Sequence, residues 1–336
     1  MYLPVRAQLA SQHGLLTYAQ AHRAGLTNSD LRRLLKAKRL VPVRWGVYAD
    51  AEAWDALDEF RGRPMLRIRA TALTLRSSAY VFSHDSAAIP QEMGAPDPRT
   101  AHVHVTRPKV HGDAVRAGVK HHRAPFIEAE VVEKDDLRML GMARTALDMA
   151  REHGRAAGLA ACDAALRAGV PRAALVECFE RMGCWPESRV IRWCIENADD
   201  GAQTYLESQT REFVLELGIG TPQTQFGLHA DGRTVWCDIR VHRHIFEPDG
   251  HLKYLPGNPS GLDPDAVLWE EKKRQDFVSG FKLGVSRITA FDMGAGREAA
   301  IRRVGREYAD TCRRFGTDIS DLALYIVTRQ RRPWAS

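Results

Sequence analysis

The segment from Thr27 to Tyr48 constrains the fold of this chain more than any other feature. Asp30 follows Thr27 at the spacing of a helix-capping pair. The residues from Leu31 to Leu40 then repeat leucine at helical intervals. Those from Val41 to Tyr48 alternate valine with polar or turn-forming residues, as in a half-buried strand. Together with the apolar periodicity from residue 5 onward, this pattern predicts three short helices followed by a β-hairpin.

The third predicted helix is positively charged on the side away from its leucines. The cationic residues of this helix and hairpin are Arg32, Arg33, Lys36, Arg39 and Arg44. Arg32, Lys36 and Arg39 are spaced i, i+4 and i+7, so a regular helix places them in one stripe. This order of elements is that of a winged helix-turn-helix domain, whose third helix enters the DNA major groove. We expect these five residues to contact double-stranded DNA; the alternative is a basic helical domain that only docks on its neighbour.

Positive charge is concentrated in the front part of the chain. The net charge of the 336-residue protein is +6. Residues 1–50 contain eight Lys or Arg against two acidic residues, and residues 61–123 contain eleven against four. Neutralising phosphates releases counterions from DNA, so a positive surface gains affinity for it. The charge pattern therefore favours DNA binding by the front part, with a plain solvated basic surface as the alternative.

Composition and patterning exclude several classes of protein. Hydrophobic residues make up 44% and charged residues 27% of the chain, which argues against disordered and membrane proteins. We find neither a long apolar run nor a signal-peptide pattern, so we expect a cytoplasmic protein without a membrane partner. The six cysteines form no CxxC pair, which argues against a zinc ribbon or a disulfide framework.

The region from residue 64 to residue 135 predicts an α/β middle domain. It contains a helix (Met65–Ser77) and four short strands, at Ala79–Ser83, Ala101–Thr106, Val119–His122 and Ala129–Val132. His102 and His104 share one strand face, and His121 and His122 lie on another strand, a spacing compatible with zinc. No cysteine or acidic residue has a matching spacing. Partly protonated surface histidines beside a basic patch are therefore the favoured interpretation. Amphipathic helices from 141 to 198 then predict a packing and connecting element.

These segments resemble a known family. The segment HGLLTYAQAHRAGLTNSDLRRLLKAKRLVPVRWGVYAD (13–50) is similar to the N-terminal winged helix of the type IV abortive-infection (AbiEi) antitoxins. The likeness continues through SHDSAA (83–88), HVHVTRPK (102–109), HHRAP (121–125) and ARTALDMAR (143–151), which resemble the second domain of actinobacterial members. The resemblance implies a transcriptional regulator that binds DNA, often its own promoter. It also implies a cognate toxin or another defence protein as a partner.

After Asp199-Asp200-Gly201 the pattern changes. The predicted elements are a helix (Gln203–Leu217), strands (Thr224–Leu228, Thr234–Val241, His244–Phe246), a loop (Tyr254–Asp265), a helix (Val267–Phe281), a strand (Ser286–Phe291) and a last helix (Arg297–Phe315). This order resembles the PD-(D/E)XK restriction-endonuclease core in its very-short-patch-repair-like branch. The matching segments are LES (206–208), CDIRV (237–241), EPDGHLKY (247–254) and LWEEKKRQD (268–276).

The nuclease resemblance implies a catalytic set of Glu207, Asp238, Glu247, Asp249 and Lys253. Phosphodiester hydrolysis needs carboxylates that hold Mg²⁺ and a cation near the developing charge. Asp238 with Glu247 or Asp249 would be the metal ligands. Glu207 would hold a further metal-bound water, and Lys253 would orient the nucleophile or stabilise the oxyanion.

Three departures from the nuclease pattern leave the function open. Cys237 precedes Asp238 where another apolar residue or proline is common, Pro248 shortens the strand that carries Glu247, and Arg243-His244 replaces apolar strand residues. We expect an α+β multidomain protein, with a winged helix at 1–50, a middle domain at 60–199 and a nuclease-like domain at 200–336. It is either a DNA-binding regulator of the antitoxin type whose nuclease-like domain is inert, or an active Mg²⁺-dependent endonuclease in phage defence or DNA repair. An interaction scaffold without a nucleic-acid partner is a third option.

Overall fold

The computed structural model describes residues 3–75, 79–108, 112–183, 185–249 and 264–328. The chain divides into two compact units. The first is Met1–Gly154 with Ala174–Ser188, and the second is Arg155–Ala173 with Arg189–Ser336. Both units contain helices and β-sheets, so the predicted α+β multidomain class is confirmed in this general form. The division at 1–50, 60–199 and 200–336 stays a prediction.

The first unit begins with three helices and a three-stranded sheet. Its elements are α1 (Leu3–Ser11), β1 (Leu15–Thr17), α2 (Tyr18–Arg23), α3 (Asn28–Lys36), β2 (Leu40–Arg44) and β3 (Val47–Asp50). The strands lie in the order β1-β3-β2 and pair antiparallel. The predicted helices and hairpin are confirmed. The sequence does not predict β1, because three residues are too few to show an alternation.

Side-chain caps fix where α2 and α3 begin. The Thr17 hydroxyl accepts a hydrogen bond from the backbone N–H of Gln20, and Thr27 accepts one from Asp30. Both form complete capping boxes, so the predicted Thr27–Asp30 pair is confirmed. Leu31 packs into the core beneath these helices, together with Val5, Leu9, Leu16, Ala21 and Leu40. The opposite, cationic side of α3 is thereby left in solvent.

The third helix ends earlier than the sequence predicts. Its last residue is Lys36. Lys38 has a φ of +49°, and the backbone N–H of Arg39 donates to the carbonyl of Leu34 at 2.9 Å, which turns the chain out of the helix. Arg39 therefore leads into β2. Its predicted place in one helical stripe with Arg32 and Lys36 is wrong.

A six-stranded sheet forms the middle of the first unit. Its elements and neighbours are α4 (Ala51–Asp55), α5 (Gly62–Ala72), β4 (Val81–Phe82), α6 (Asp85–Ala88), β5 (Val103–Arg107), β6 (Ala114–Arg116), β7 (Val119–Arg123), β8 (Val131–Lys134), β9 (Leu137–Leu140) and α7 (Met142–His153). The strands lie in the order β6-β7-β5-β4-β9-β8. The predicted helix corresponds to α5 and the four predicted strands to β4, β5, β7 and β8. Strands β6 and β9 were not foreseen.

Three histidines of this sheet region are buried, against expectation. His84, His104 and His122 are 3%, 3% and 6% exposed. Burial lowers the pKa of each below its ordinary value, to about 4 for His104. They are therefore neutral near pH 7. The prediction of partly protonated surface histidines is wrong for these three.

The second unit is built on a five-stranded mixed sheet. Two of its helices precede the sheet along the chain: α8 (Arg155–Arg167) and α10 (Ser188–Asn197). Between them in sequence, α9 (Arg172–Met182) belongs almost entirely to the first unit. The remaining elements are α11 (Tyr205–Glu216), β10 (Gln223–Ala230), β11 (Arg233–Val241), β12 (His244–Asp249), α12 (Pro264–Gly280), β13 (Gly284–Thr289), α13 (Ala290–Met293), α14 (Arg297–Phe315) and β14 (Ile326–Val327). The order of predicted helices and strands from residue 203 to residue 315 is confirmed.

The strands of this sheet lie in the order β13-β12-β11-β10-β14. Strands β10, β11 and β12 form an antiparallel meander, and β13 returns parallel to β12 after α12. Ile245 and Phe246, adjacent on β12, belong to different apolar clusters. Phe246 packs with residues of α11 and α14, whereas Ile245 packs with Val278 of α12. Because successive strand residues face opposite sides, helices cover both faces of the sheet.

Arg243 and His244 are buried, and hydrogen bonds satisfy their polar groups. Arg243 donates to the carbonyl of Asp318 at 2.5 Å and pairs with Asp321. Nδ1 of His244 lies 2.7 Å from the Thr311 hydroxyl, and its Nε2 lies 2.8 Å from the Ser286 hydroxyl. Burial lowers the pKa of His244 to about 4. These partners explain how the sheet accepts polar residues where apolar ones are expected.

His244 should make stability depend on pH. The unfolded chain binds a proton at this histidine below its ordinary pKa of 6.5, whereas the folded chain does so only near 4. Since the unfolded state binds more protons in this range, the free energy of unfolding should fall as pH drops from 6.5 to 4, by about 3 kcal/mol from this group. Urea unfolding across this pH range should show a shallower fall in His244→Gln. The variant His102→Gln, at an exposed position, should retain the wild-type dependence, and equal curves for all three proteins would contradict the assignment.

Candidate nucleic-acid interface and carboxylate site

The exposed side of α3 carries three of the predicted DNA-binding residues. Arg32, Arg33 and Lys36 are all exposed. Nη2 of Arg33 lies 2.7 Å from Oδ1 of Asp30, and the Arg33 side chain is 77% exposed. Exposed ion pairs contribute little stability, so Arg33 can exchange this carboxylate for a phosphate at small cost. The structure thus groups these three cations on one accessible surface.

Three further polar residues gather where α3 begins. Asn28 is the first residue of the helix, and its Oδ1 accepts a hydrogen bond from the Tyr18 hydroxyl at 2.8 Å. Nε2 of His22 lies 3.0 Å from the same oxygen, and the rings of Tyr18 and His22 are 4.4 Å apart. Sequence analysis missed this group, because no periodicity links residues of α2 to the first residue of α3.

The tip of the β2–β3 hairpin exposes tryptophan rather than arginine. Trp45 is 90% exposed, and Gly46 beside it has a φ of +73°, which a glycine adopts without strain. Arg44 is half-buried, and its Nη1 donates to the Thr71 hydroxyl at 2.5 Å. Burial lowers the pKa of Arg44. The predicted contact of Arg44 with DNA stays a prediction, and Trp45 is the residue that the hairpin presents.

The predicted carboxylates of the second unit come from three elements. Glu207 lies on α11, Asp238 on β11, and Glu247 and Asp249 on β12. Ile239 pairs with Phe246 across the hairpin, so Asp238 and Glu247 occupy adjacent positions of paired strands. Lys253 lies outside the described residues.

Glu247 is held by an arginine that sequence analysis did not consider. Its Oε1 and Oε2 accept hydrogen bonds from Nη2 and Nη1 of Arg274, each at 2.6 Å. Nη2 also donates to the carbonyl of Trp236 at 2.9 Å. Burial acts to lower the pKa of Arg274, but the hydrogen bonds and charge of Glu247 raise it. Arg274 therefore stays charged, and both oxygens of Glu247 are engaged.

Glu207 has a local structural role. Its carboxylate accepts hydrogen bonds from the backbone N–H of Gln203 at 2.8 Å and from the Thr204 hydroxyl at 3.1 Å. Thr204 in turn accepts from the backbone N–H of Glu207 and caps α11. On β11, burial raises the pKa of the Cys237 thiol, next to Asp238 in sequence, to about 12, so this cysteine stays protonated.

These four carboxylates do not gather into a metal centre as they stand. No three of Glu207, Asp238, Glu247 and Asp249, all of them described, bring ligand oxygens within 4.8 Å of one another. Mg²⁺ uses one or two carboxylates with several waters. Glu247 would have to leave Arg274 to serve as one of them. A ligand set that includes Glu247 therefore does not fit Mg²⁺ without rearrangement.

Comparison with known proteins supports the N-terminal part of the chain. Residues 7–49 match the family model described as a transcriptional regulator, AbiEi antitoxin. This match supports an antitoxin or transcriptional-regulator role with DNA as the partner, for that part of the protein. No curated protein matched the sequence. Among the described residues, no helix is long and apolar enough to cross a membrane.

Removing Arg274 should destabilise the second unit. Arg274→Met leaves the Glu247 carboxylate without its two charged donors. The side chain of Arg274 is only 24% exposed and that of Glu247 only 11%, so water can replace the lost donors only in part. We expect urea unfolding of the full chain at pH 7 to lose about 2–4 kcal/mol. Arg313→Met breaks an exposed pair with Asp310 and should change the free energy of unfolding little. Similar losses in both variants would show that the Glu247–Arg274 pair stabilises the protein no more than an exposed ion pair does.

Proposed function

We propose that this protein is a transcriptional regulator of the AbiEi antitoxin type and that residues 3–50 form its winged-helix DNA-binding domain. The observation that carries the proposal is the exposed cationic side of α3. The family match of residues 7–49 supports it. The element order α1-β1-α2-α3-β2-β3, with β1 completing the hairpin sheet, is also that of a winged helix.

In this proposal α3 lies in the major groove with its first residues toward the bases. The amide nitrogen of Asn28, at the start of the helix, can donate to the N7 acceptor of a purine, while its Oδ1 is held by Tyr18 and His22. Arg32 and Arg33, one turn later, suit guanine or phosphate. The N-terminal N–H groups of a helix also favour an anion, so the backbone of DNA is attracted to this end.

The hairpin serves as the wing. Trp45 is rigid, apolar and 90% exposed, and an indole of this kind packs on sugars or wedges at a base step in the minor groove. Contact with DNA would remove this surface from water. The wing would thus add affinity without charge, while α3 supplies the phosphate contacts and the base readout.

The partners proposed for this regulator are duplex DNA and a cognate toxin or other defence protein. Control of its own promoter follows from the family resemblance of the N-terminal part. A direct measurement of binding to the promoter tests this proposal.

Removing the charge of α3 should weaken DNA binding and its salt dependence. Arg32→Ala with Lys36→Ala removes two phosphate contacts at about 0.9 each, so the log–log salt slope should fall by about two. Fluorescence anisotropy with the duplex upstream of the gene, at several salt concentrations, measures the slope. The double variant Arg313→Ala with Arg314→Ala removes the same charge from α14 and should leave the slope unchanged. An unchanged slope in the α3 variant would contradict the groove assignment, and wild type without any salt-dependent binding would favour a scaffold.

A second candidate function rests on the topology of the second unit. The antiparallel meander β10-β11-β12, the crossover α12 and the parallel return β13 have the order of a PD-(D/E)XK core. This supports a nuclease-like domain. Because Glu247 is engaged by Arg274, we propose that the domain is catalytically inert in the isolated protein. An active Mg²⁺-dependent endonuclease is the alternative.

The inert domain should leave plasmid DNA intact. Supercoiled plasmid incubated with wild type and Mg²⁺ or Mn²⁺ should show no nicking on a gel, since Glu247 is not free to bind the ion. A restriction enzyme in the same buffer is the positive control. Nicking by wild type that disappears in Asp238→Asn would establish the endonuclease instead. Nicking that persists in Asp238→Asn would identify a contaminant.

A further inference from the structure

The three buried histidines of the first unit come together in one cluster. His84 follows β4, His104 lies on β5 and His122 on β7. Strands β5 and β7 are parallel neighbours, and Thr106 pairs with His122. His104 and His122 are therefore diagonal neighbours on one face of the sheet. Within the described chain, theirs is the one group of three or more metal-capable side chains whose ligand atoms all lie within 4.8 Å of one another.

The geometry of the cluster is close to that of a metal site. Nδ1 of His104 lies 3.0 Å from Nε2 of His122, and the rings of His84 and His122 are stacked at 3.8 Å. Tetrahedral zinc with ligands at about 2.0–2.1 Å places two nitrogens about 3.3 Å apart. The His104–His122 separation needs only a small opening. His84 must leave its stacked position to complete the set.

Each ring has a polar partner on the nitrogen that faces away from the cluster. Nε2 of His104 lies 3.6 Å from Oδ2 of Asp85, and Nδ1 of His122 lies 3.7 Å from Oδ2 of Asp113. Nδ1 of His84 lies 3.0 Å from the Ser83 hydroxyl, which leaves its Nε2 for a ligand. Histidines that bind metals are typically oriented by carboxylates or other polar groups in this way.

The proton count favours a bound cation. Without one, His104 and His122 share a hydrogen bond, so one of them carries its single proton on the inner nitrogen. That ring then presents a lone pair to a carboxylate, of Asp85 or of Asp113. A metal ion would accept both inner lone pairs, so that each ring would carry its proton on the outer nitrogen, toward Asp85 or Asp113.

Two further observations point to a ligand. His84 has φ +49° and ψ −134°, a strained conformation for a residue with a side chain, and such strain concentrates at functional sites. Oδ1 of Asp85 is buried and has no hydrogen-bond partner among the described residues. Arg144 and Arg151 oppose a cation here, but both are paired with Asp148.

We propose that His84, His104 and His122 bind one divalent transition-metal ion, with zinc as the preferred ion. Three imidazoles form a donor set that suits Zn²⁺, Cu²⁺, Ni²⁺ and Co²⁺ and excludes Mg²⁺ and Ca²⁺, which take oxygen ligands. Asp85 and Asp113 act as positioning residues for His104 and His122. The ion would tie the turn after β4 to strands β5 and β7. This site is separate from the carboxylates of the second unit and independent of DNA binding.

The test uses the full chain without a histidine tag. After removal of metal by a chelator and reconstitution with Zn²⁺, elemental analysis should find one zinc ion per chain in wild type. Addition of Co²⁺ instead should produce the visible absorption bands of a low-coordinate site. His122→Gln should lose the ion. His121 precedes His122 on β7 and lies on the other face of the strand, so His121→Gln should keep the ion.

A milder variant distinguishes a weakened metal site from a misfolded protein. Asp113 is exposed and does not contact the ion, so Asp113→Asn should fold, with an unchanged circular dichroism spectrum. It should bind zinc about 10–100-fold more weakly in a chelator competition, because the His122 proton loses its carboxylate. Absence of zinc from reconstituted wild type would overturn the proposal. Equal zinc content in His122→Gln, or unchanged affinity in Asp113→Asn, would also overturn it.

Discussion

The ion pair between Asp163 and Arg211 is the interaction on which the second unit depends. Asp163 on α8 is fully buried. Its Oδ1 accepts hydrogen bonds from Nη2 of Arg211 on α11 at 2.6 Å and from the backbone N–H of Asp199 at 2.7 Å. Burial raises the pKa of Asp163 to about 6, and loss of one partner from such a pair typically costs about 3–5 kcal/mol. The helix α8 and the turn at Asp199 therefore fold together with α11 and the sheet that follows.

The sequence predicted those features that neighbouring residues determine. The capping box of Thr27 and Asp30, the hairpin of β2 and β3, and the element order of the second unit were all accessible from local periodicity and turn residues. The end of α3 was not, because the left-handed turn at Lys38 occurs at a residue that carries no turn signal. Arg39 was misplaced for that reason. The connection between α8 and α11 could not be predicted either, since Asp163 and Arg211 are distant in sequence and no local pattern pairs them.

The candidate sites were predicted by residue type but not by partner. Asp238 and Glu247 do come from adjacent positions of paired strands. Arg274, the partner of Glu247, is 27 residues away on a helix. From the sequence alone, a cation on such a helix is expected to lie on its solvent-exposed face. The histidines show the same limit. The alternation along one strand predicted that His104 lies beside His102. In the structure His104 lies beside His122, on a neighbouring strand, and His84. The position of His84 depends on an unusual backbone conformation, which the sequence does not reveal.

The pair of Glu247 and Arg274 also bears on how such a domain can change over evolutionary time. Freeing the carboxylate requires loss of a guanidinium that stabilises the sheet. A lineage gaining or regaining activity at this position would first pass through a less stable protein, so stabilising substitutions elsewhere must come earlier. A domain that keeps the pair therefore keeps its contribution to stability whether or not the proposed chemistry is selected.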